Sequence, residues 1–424
     1  MQRTYIRDLK PLTGQTAVIH GWVHIIRDQK SMLFLVIRDN TGMVQVTVDK
    51  AQTVGDAAPM AACLALTRES AVTISGRVVE NPVVKLGGIE LLPDSIQVES
   101  LAQTPLPLDP QAKVQPGIDV RLDWRYLDLR RPENLLSFQV QTTVEMAMRE
   151  FWVQEGFVEI HSPKLIGTAS ESGAEVFELE YFGRSAYLAQ SPQFYKQMAI
   201  AAGFDRVYEI GPAFRADPSF TPRHATEFTS VDMEIGWIGS HFDVMASQER
   251  WLRYTLEQVQ RTHGDAIRER FGVEVEPPVI PFPKVTMAEA HEILRQQGYT
   301  VPAERKGDLD PQGERLLGEY ARKTYGHDFL YVIDWPKSVR SFYHMRYPDA
   351  PNITKSFDLL YKGVEVATGA QREHRYDVLV AQALDKGFKL EPLQFYLDFF
   401  KYGCPPHGGY GFGSARLVAG LLNR

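Results

Sequence analysis

The sequence predicts two domains in series: an all-β barrel over residues 1–103, then an α+β domain with a mainly antiparallel sheet over 134–424. Three observations predict this. Apolar and polar residues alternate at period two through the first hundred residues. Four prolines crowd into 104–118. Beyond 134, strand-like runs are interrupted by segments of helical periodicity.

In the first domain, TAVIHGWVHIIR, MLFLVIRDNTGMVQVTVD, AVTISGRVVE and GIELLPDSIQVES carry the alternation. DNTG is a hairpin turn that divides the second run into two strands. MAACLALTRE reads as a short helix between the third and fourth strands. Five short strands with one helix predict an OB-type barrel, although the pattern alone also fits other small β-barrels.

TPLPLDPQAKVQPGI follows. Proline fixes φ and removes a donor, so a stiff linker or hinge is expected over 104–133. Its second half, RLDWRYLDLRRPE, suits a docking segment. LLSFQVQTTVEMAMREFWVQEGF then has helical periodicity, which Gly156 ends, and FVEIHSPKL reads as a strand ending at Pro163. Further strands are expected near 186–190, 206–214, 226–238, 328–333, 355–361 and 363–369. Helices are expected near 241–263 and 286–297, and a last strand runs into a helix over 408–422.

Composition narrows the class. Hydrophobic residues are 44% and charged residues 23% of 424, ordinary for a globular protein. No run approaches a membrane span, and the N-terminus has no apolar signal region. The two cysteines, Cys63 and Cys404, are far apart, which argues against a disulfide framework or a zinc site. A cytoplasmic protein is expected. The net charge of -7 is not that of a generic nucleic-acid coat, so any RNA must be held by local patches.

Three segments carry chemistry. RVYEIGPAFRADPSFTPRHATEFTSVDMEIGW, 206–237, reads strand, polar loop, strand. Arg215 ends the first strand, Arg223 and His224 lie in the loop, and Phe228, Asp232 and Glu234 follow. Asp232 and Glu234 share a face. Carboxylates beside arginines of the partner strand suit a site for polyphosphate, metal and an ammonium group. Alone, the segment also reads as a salt-bridged hairpin. In SFDLLYKGVEVATGAQREHR, 356–375, Asp358 and Glu365 flank a turn at Lys362-Gly363 and can ligate Mg²⁺. Gly369 would admit a ligand close to the backbone, and Arg372 can form a two-point pair with a carboxylate. Surface hairpin charges are the alternative. In PPHGGYGFGSARL, 405–417, glycines alternate along a strand and would leave a flat floor for a base. Arg416 opens the final helix, where a phosphate is favoured.

In this order and spacing the three segments resemble the signature motifs of class II aminoacyl-tRNA synthetases. The helix with GFVEIHSP resembles motif 1, the strand pair around Arg215 motif 2, and GYGFGSARL motif 3. With an OB-like domain in front, the chain is similar to the aspartyl, asparaginyl and lysyl subgroup. SPQFYKQ, RHATEF, SVDME and GAQREHR resemble the aspartyl enzymes of archaeal and eukaryotic type. The bacterial type carries a large extra domain for which this chain has no room.

The resemblance implies roles. Arg215 would hold the ATP α-phosphate, Arg223 and His224 the outer phosphates, and Arg416 the γ-phosphate. Phe228 would stack on adenine. Asp358 and Glu365 would ligate Mg²⁺, with Glu365 also near ATP. Gln193 and Asp232 would hold the α-ammonium end of L-aspartate, Lys196 and Arg372 its side-chain carboxylate, with Thr368 alongside. Glu171 would belong to a loop closing over the substrate. Phe34 would stack an anticodon base, with Arg27, Gln45 and His24 as neighbours; barrel core is the other reading of Phe34. Motif 1 and Pro163 would build a homodimer. Two positions depart from the family: Asp217 stands where Glu is usual, and Ala415 where an acidic residue is usual.

Lys196 with Arg372 points to aspartate rather than asparagine, and SVDME differs from the Glu-Pro-Glu of asparaginyl relatives. His24 stands where strict aspartyl relatives carry tryptophan, which points to a form charging both tRNA-Asp and tRNA-Asn. Two rivals are a non-catalytic paralogue, opposed by retention of Arg215, Arg416, Asp358 and Glu365, and an ATP-dependent asparagine synthetase, opposed by the barrel domain.

Overall fold

The computed structural model describes residues 2–50, 65–167, 176–216, 225–305 and 307–424. The chain divides into two compact units, Met1–Leu135 and Leu136–Arg424.

In the first unit, β1 (Thr16–Asp28), β2 (Met32–Arg38), β3 (Met43–Asp49), β4 (Ala71–Glu80) and β5 (Ile89–Ser100) close a barrel in the order β1-β2-β3-β5-β4. Alternation places Val23, Leu35, Val46, Ile74 and Leu91 inside. The DNTG turn is built by Asp39, whose carboxylate accepts from the N–H groups of Thr41 (2.7 Å) and Gly42 (3.0 Å). Part of the helix expected in MAACLALTRE lies outside the described residues. Its end, from Ala65, is turn and irregular backbone, and Glu69 has φ +69°, which no α-helix tolerates. The segment 104–133 belongs to this unit and carries α1 (Ile118–Asp123) and α2 (Arg125–Asp128). Arg130 donates to Glu69 (3.0 Å), which Arg38 also grips at 3.1 and 2.9 Å.

The second unit is built on an eight-stranded sheet. In spatial order it runs β12 (Lys284–Thr286), β13 (Phe329–Ile333), β14 (Ser356–Tyr361), β15 (Val364–Gln371), β16 (His407–Phe412), β11 (Glu227–Gly236), β10 (Arg206–Phe214), β6 (Val158–Glu159). Only the β12–β13 and β10–β6 pairs are parallel. A small sheet of β7 (Leu165–Ile166), β9 (Arg184–Leu188) and β8 (Glu178–Tyr181) lies apart. α3 (Pro132–Gln154) stops before Gly156, φ +81°. The strand expected through Pro163 pairs only at Val158–Glu159. Past it, the Ser162 N–H goes to the Glu209 carboxylate (3.1 Å), and Pro163 has no N–H to continue the ladder.

One face of the large sheet packs on α3, on α5 (His241–Phe271) and on the last helix, Ser414–Leu421, with Trp152 stacked on Trp251 at 5.0 Å. α5 begins at a capping box of Ser240 and Asp243 and ends at left-handed Gly272. Among the described residues no helix is long and apolar enough to cross a membrane.

Candidate active site

Strand pairing gathers distant residues into two lines across the other face. One line is Asp358, Thr368, Gly411, Asp232, Glu209; the next is Ser356, Ala370, Gly409, Glu234. Val231 and Met233 point into the core, so period two turns Asp232 and Glu234 to this face.

α4 (Gln193–Ala201) lays Lys196 over the sheet. Its ammonium lies 2.9 Å from Asp232 Oδ1 and 3.4 Å from Glu234 Oε2, and donates to the carbonyls of Met233 and Tyr410. Arg372, just past β15, donates from Nε to Glu234 Oε1 (2.9 Å) and from Nη2 to the Gly409 carbonyl (3.0 Å). Relative exposures are 1% for Lys196, 3% for Asp232, 0% for Glu234 and 2% for Arg372. Two cations and two carboxylates therefore cancel in dry protein. Burial works to raise the Glu234 pKa, but Arg372 and Lys196 outweigh it and hold the carboxyl below its ordinary value.

This corrects the expected pairing. The cations beside Asp232 and Glu234 come from α4 and from beyond β15, not from arginines of β10. On β10 the residue opposite Asp232 is Glu209, itself bound by Lys164 at 2.6 Å. Gln193 lies in a second buried network. Its amide donates to Gln197 Oε1 (2.9 Å), which also accepts from Tyr396 (3.0 Å). The Gln197 amide faces His407 Nε2 at 2.9 Å, and His407 Nδ1 lies 2.8 Å from the Pro405 carbonyl. The Nδ1-H tautomer satisfies both contacts.

Two glycines serve packing where a ligand was expected. A Cβ at Gly369 would meet Phe357 Cζ at 2.3 Å, so the space there is filled by Phe357. A Cβ at Gly409 would lie 2.0 Å from the Met233 carbonyl and 2.3 Å from Glu234 Oε2. The strand floor at Gly409 is covered by a carboxylate.

Farther along the face, Arg416 donates to the Glu365 carbonyl (2.8 Å) and lies 3.5 Å from its carboxylate, to which Thr368 also donates (3.3 Å). Asp358 lies one strand over, across a bulge in the β14–β15 register. Burial raises its carboxyl pKa to about 7, although Arg340 is 2.7 Å away. The exposed Arg215 places its guanidinium 5.2 Å from the Phe228 ring centre. Glu171, Asp217, Arg223 and His224 lie outside the described residues. Ala415 occupies the first turn of the last helix.

In the first unit, Arg27, Phe34 and Thr47 are aligned in register on β1, β2 and β3. Leu33 and Leu35 point inward, so Phe34 is on the outer face and is half-buried, not core. Gln45 is two residues from Thr47 and donates to it (3.2 Å) and to Glu90 (3.1 Å). His24 is the extra residue of the β1 bulge, between Val23 and Ile25, with Nδ1 3.0 Å from Arg38 Nη1. Burial, then Arg38, lower its pKa.

Sequence reasoning missed Glu209, Gln197, His407 and Arg340. Gln197 is one helical turn from Gln193 and could have been found on that spacing. For Arg340, in a loop far from every motif, no local signal exists.

Comparison with known proteins matches residues 117–424 to the family described as tRNA synthetases class II (D, K and N), and residues 17–99 to the OB-fold nucleic acid binding domain. The aspartate–tRNA(Asp) ligase of Pyrococcus horikoshii is 42% identical, with 97% of this chain and 93% of the relative aligned. The aspartate–tRNA(Asp/Asn) ligase of Aeropyrum pernix is also 42% identical, over 98% and 93%. The crystal structure of asparaginyl-tRNA synthetase from Pyrococcus horikoshii with asparaginyl-adenylate superposes with a TM-score of 0.91 at 32% identity, covering 100% of this chain and 95% of that one. With a family match over most of its length and relatives of this likeness, the chain belongs to the class II tRNA synthetases of the D, K and N group, and is an aminoacyl-tRNA ligase.

Proposed function

We propose that the chain is an aspartate–tRNA ligase, which activates L-aspartate with ATP and transfers it to the 3′ end of tRNA-Asp and of tRNA-Asn. One observation carries the amino-acid choice: Lys196 and Arg372 converge on Glu234 in a dry, balanced cluster. A substrate carboxylate beside it presents two charged acceptor oxygens to these cations, where an amide presents one neutral acceptor and an NH2 donor that cannot pair with them. Sites built on such bonds reject analogues that leave them unmade. Gln193, Asp232 and Thr368 bind the remainder of the amino acid, and Glu171 is a further aspartate-binding residue.

The aspartate carboxylate attacks the ATP α-phosphate and pyrophosphate leaves. No protein nucleophile is required; positioning and charge stabilisation suffice. Arg215 stabilises the reacting phosphate, and the Phe228 ring on which it rests stacks adenine. Arg416, Arg223 and His224 hold the outer phosphates. Asp358 and Glu365 offer oxygen donors suited to Mg²⁺, and Asp358 Oδ1, which makes no aligned hydrogen bond, already faces one cation, the Arg340 guanidinium at 2.7 Å. When bound, Mg²⁺ supplies charge neutralisation to the polyphosphate.

Relatives at equal identity carry both tRNA specificities in their names, so the tRNA choice rests on local residues. His24, small and polar beside Arg38, favours the relaxed form. Phe34 stacks an anticodon base with Arg27 and Gln45 alongside. A second copy docks on α3 and Pro163: Phe138, Met146 and Val153 lie within one stripe of the helix at 50%, 61% and 63% exposure. The enzyme works in the cytoplasm.

ATP–pyrophosphate exchange with aspartate and asparagine in parallel, then charging of purified tRNA-Asp and tRNA-Asn, tests the reading. Exchange with aspartate only and charging of both tRNAs is expected. Exchange driven by asparagine defeats the amino-acid assignment, and absence of Asp-tRNA-Asn defeats the relaxed specificity.

A further inference from the structure

Arg340 has no part in the reaction above, yet it is the nearest cation to Asp358. It lies in the loop between β13 and β14. Its side chain is 9% exposed, its guanidinium carbon is 4.0 Å from the Trp335 ring centre, and Nη2 is 2.7 Å from Asp358 Oδ1. The contact is an ion pair without hydrogen-bond alignment. Arg340 Nε, Arg340 Nη2 and Asp358 Oδ1 are all buried and make no hydrogen bond. A guanidinium in a two-point fork is fixed by direction as well as charge. Arg340 is held to Asp358 by charge, and to Trp335 by stacking. Such a cation can be exchanged for another without breaking an aligned bond.

We propose that Arg340 is a resident counter-cation for Asp358, which competes with a divalent cation for that carboxylate and so sets how tightly the cation is taken up. The proposal rests on the assignment of Asp358 as a cation ligand. Arg340 keeps a buried carboxylate from standing uncompensated. A divalent cation held by Asp358 and Glu365 would make that service unnecessary, and the guanidinium would be free to separate from the carboxylate. Arg340 is thus a positioning residue for the cation site.

The test uses the full chain with a non-hydrolysable ATP analogue at pH 8.5, and reads Mn²⁺ binding by electron paramagnetic resonance. Arg340→Gln should bind Mn²⁺ about ten-fold more tightly, a shift of ~1.4 kcal/mol, while Arg340→Lys stays near the unaltered chain. Equal or weaker binding by Arg340→Gln overturns the proposal. A second measurement needs no change at Arg340. Adding Mg²⁺ should alter tryptophan emission in the unaltered chain and not in Trp335→Phe, because the guanidinium moves off or along the indole. An emission response identical in the two overturns the proposal as well. Asp358→Asn separates the two levels. If it leaves Mn²⁺ binding intact, the ligand assignment itself fails; if it abolishes binding while Arg340→Gln changes nothing, only the competition fails.

Discussion

Glu234 and Arg372 meet over Gly409, with Arg372 Nε 2.9 Å from Glu234 Oε1, and Lys196 approaches the other carboxylate oxygen at 3.4 Å. Glu234→Gln keeps the shape and removes one charge, leaving two buried cations to share Asp232. Breaking such a pair costs about 3 kcal/mol or more. Denaturant melts should show a loss of that order, and the KM for aspartate should rise more than that for ATP. Unaltered stability would mean that the pair does not hold the cluster together.

Gly409 and Gly411 are two residues apart on one strand and should respond in opposite ways to the same change. A Cβ at Gly409 meets the Met233 carbonyl at 2.0 Å, whereas one at Gly411 meets Asp232 Oδ1 at 3.4 Å. Gly409→Ala should yield little folded protein, because a paired backbone carbonyl cannot step aside. Gly411→Ala should melt within about 1 kcal/mol of the unaltered chain. Thermal melts of the two purified variants decide it.

Arg215 and Arg416 should separate kinetically. Arg215→Ala removes charge stabilisation at the reacting phosphate, so the exchange kcat should fall by ~100-fold or more with a modest change in ATP KM. Arg416 is partly committed to the Glu365 carbonyl at 2.8 Å. Arg416→Ala should raise the ATP KM and lower kcat less. The reverse pattern would exchange their roles.

Phe34 stands on the outer face of the barrel, so Phe34→Ala should leave the melting of the domain nearly unchanged. The KM for tRNA should rise by roughly ten-fold, the value of one base stack, with pyrophosphate exchange unaffected. A fall in barrel stability without a change in tRNA KM would return Phe34 to a packing role.

Burial lowers the pKa of both His407 and His241 to about 4, against an ordinary 6.5. Between these values the unfolded chain binds protons that the folded chain refuses. Their contribution is complete above pH 6.5 and is lost as pH falls towards 4. Melting temperature should therefore drop across that window, and His407→Gln should make the drop shallower. Calorimetric scans at half-unit pH steps measure it.

Elements were more legible in the sequence than partnerships. The barrel, the helix stopped by Gly156 and the hairpin at Lys362-Gly363 follow from periodicity and turn residues, which act locally. Lys196, Asp232, Glu234 and Arg372 stood out by charge and motif. Their pairing depends on β16, late in the chain, inserting between β15 and β11, and no local pattern encodes that order. Gly369 shows the same limit: its occupant, Phe357, comes from the neighbouring strand. Arg340 left no trace, because a lone arginine in an irregular loop has no period to read.

The charge balance of Lys196, Asp232, Glu234 and Arg372 has a consequence for how the site can change over generations. Any one replacement that removes a charge leaves its partner unmatched in protein that is 0–3% exposed, and the fold suffers before a new specificity can be tried. Compensation must arrive at a second position almost together with the first, since contacting residues do not act additively. The quartet should thus change as a block or not at all. Altering the charge of the floor requires coordinated substitutions in segments as far apart as α4 and the stretch beyond β15, which leaves the rim as the place where single changes are tolerated.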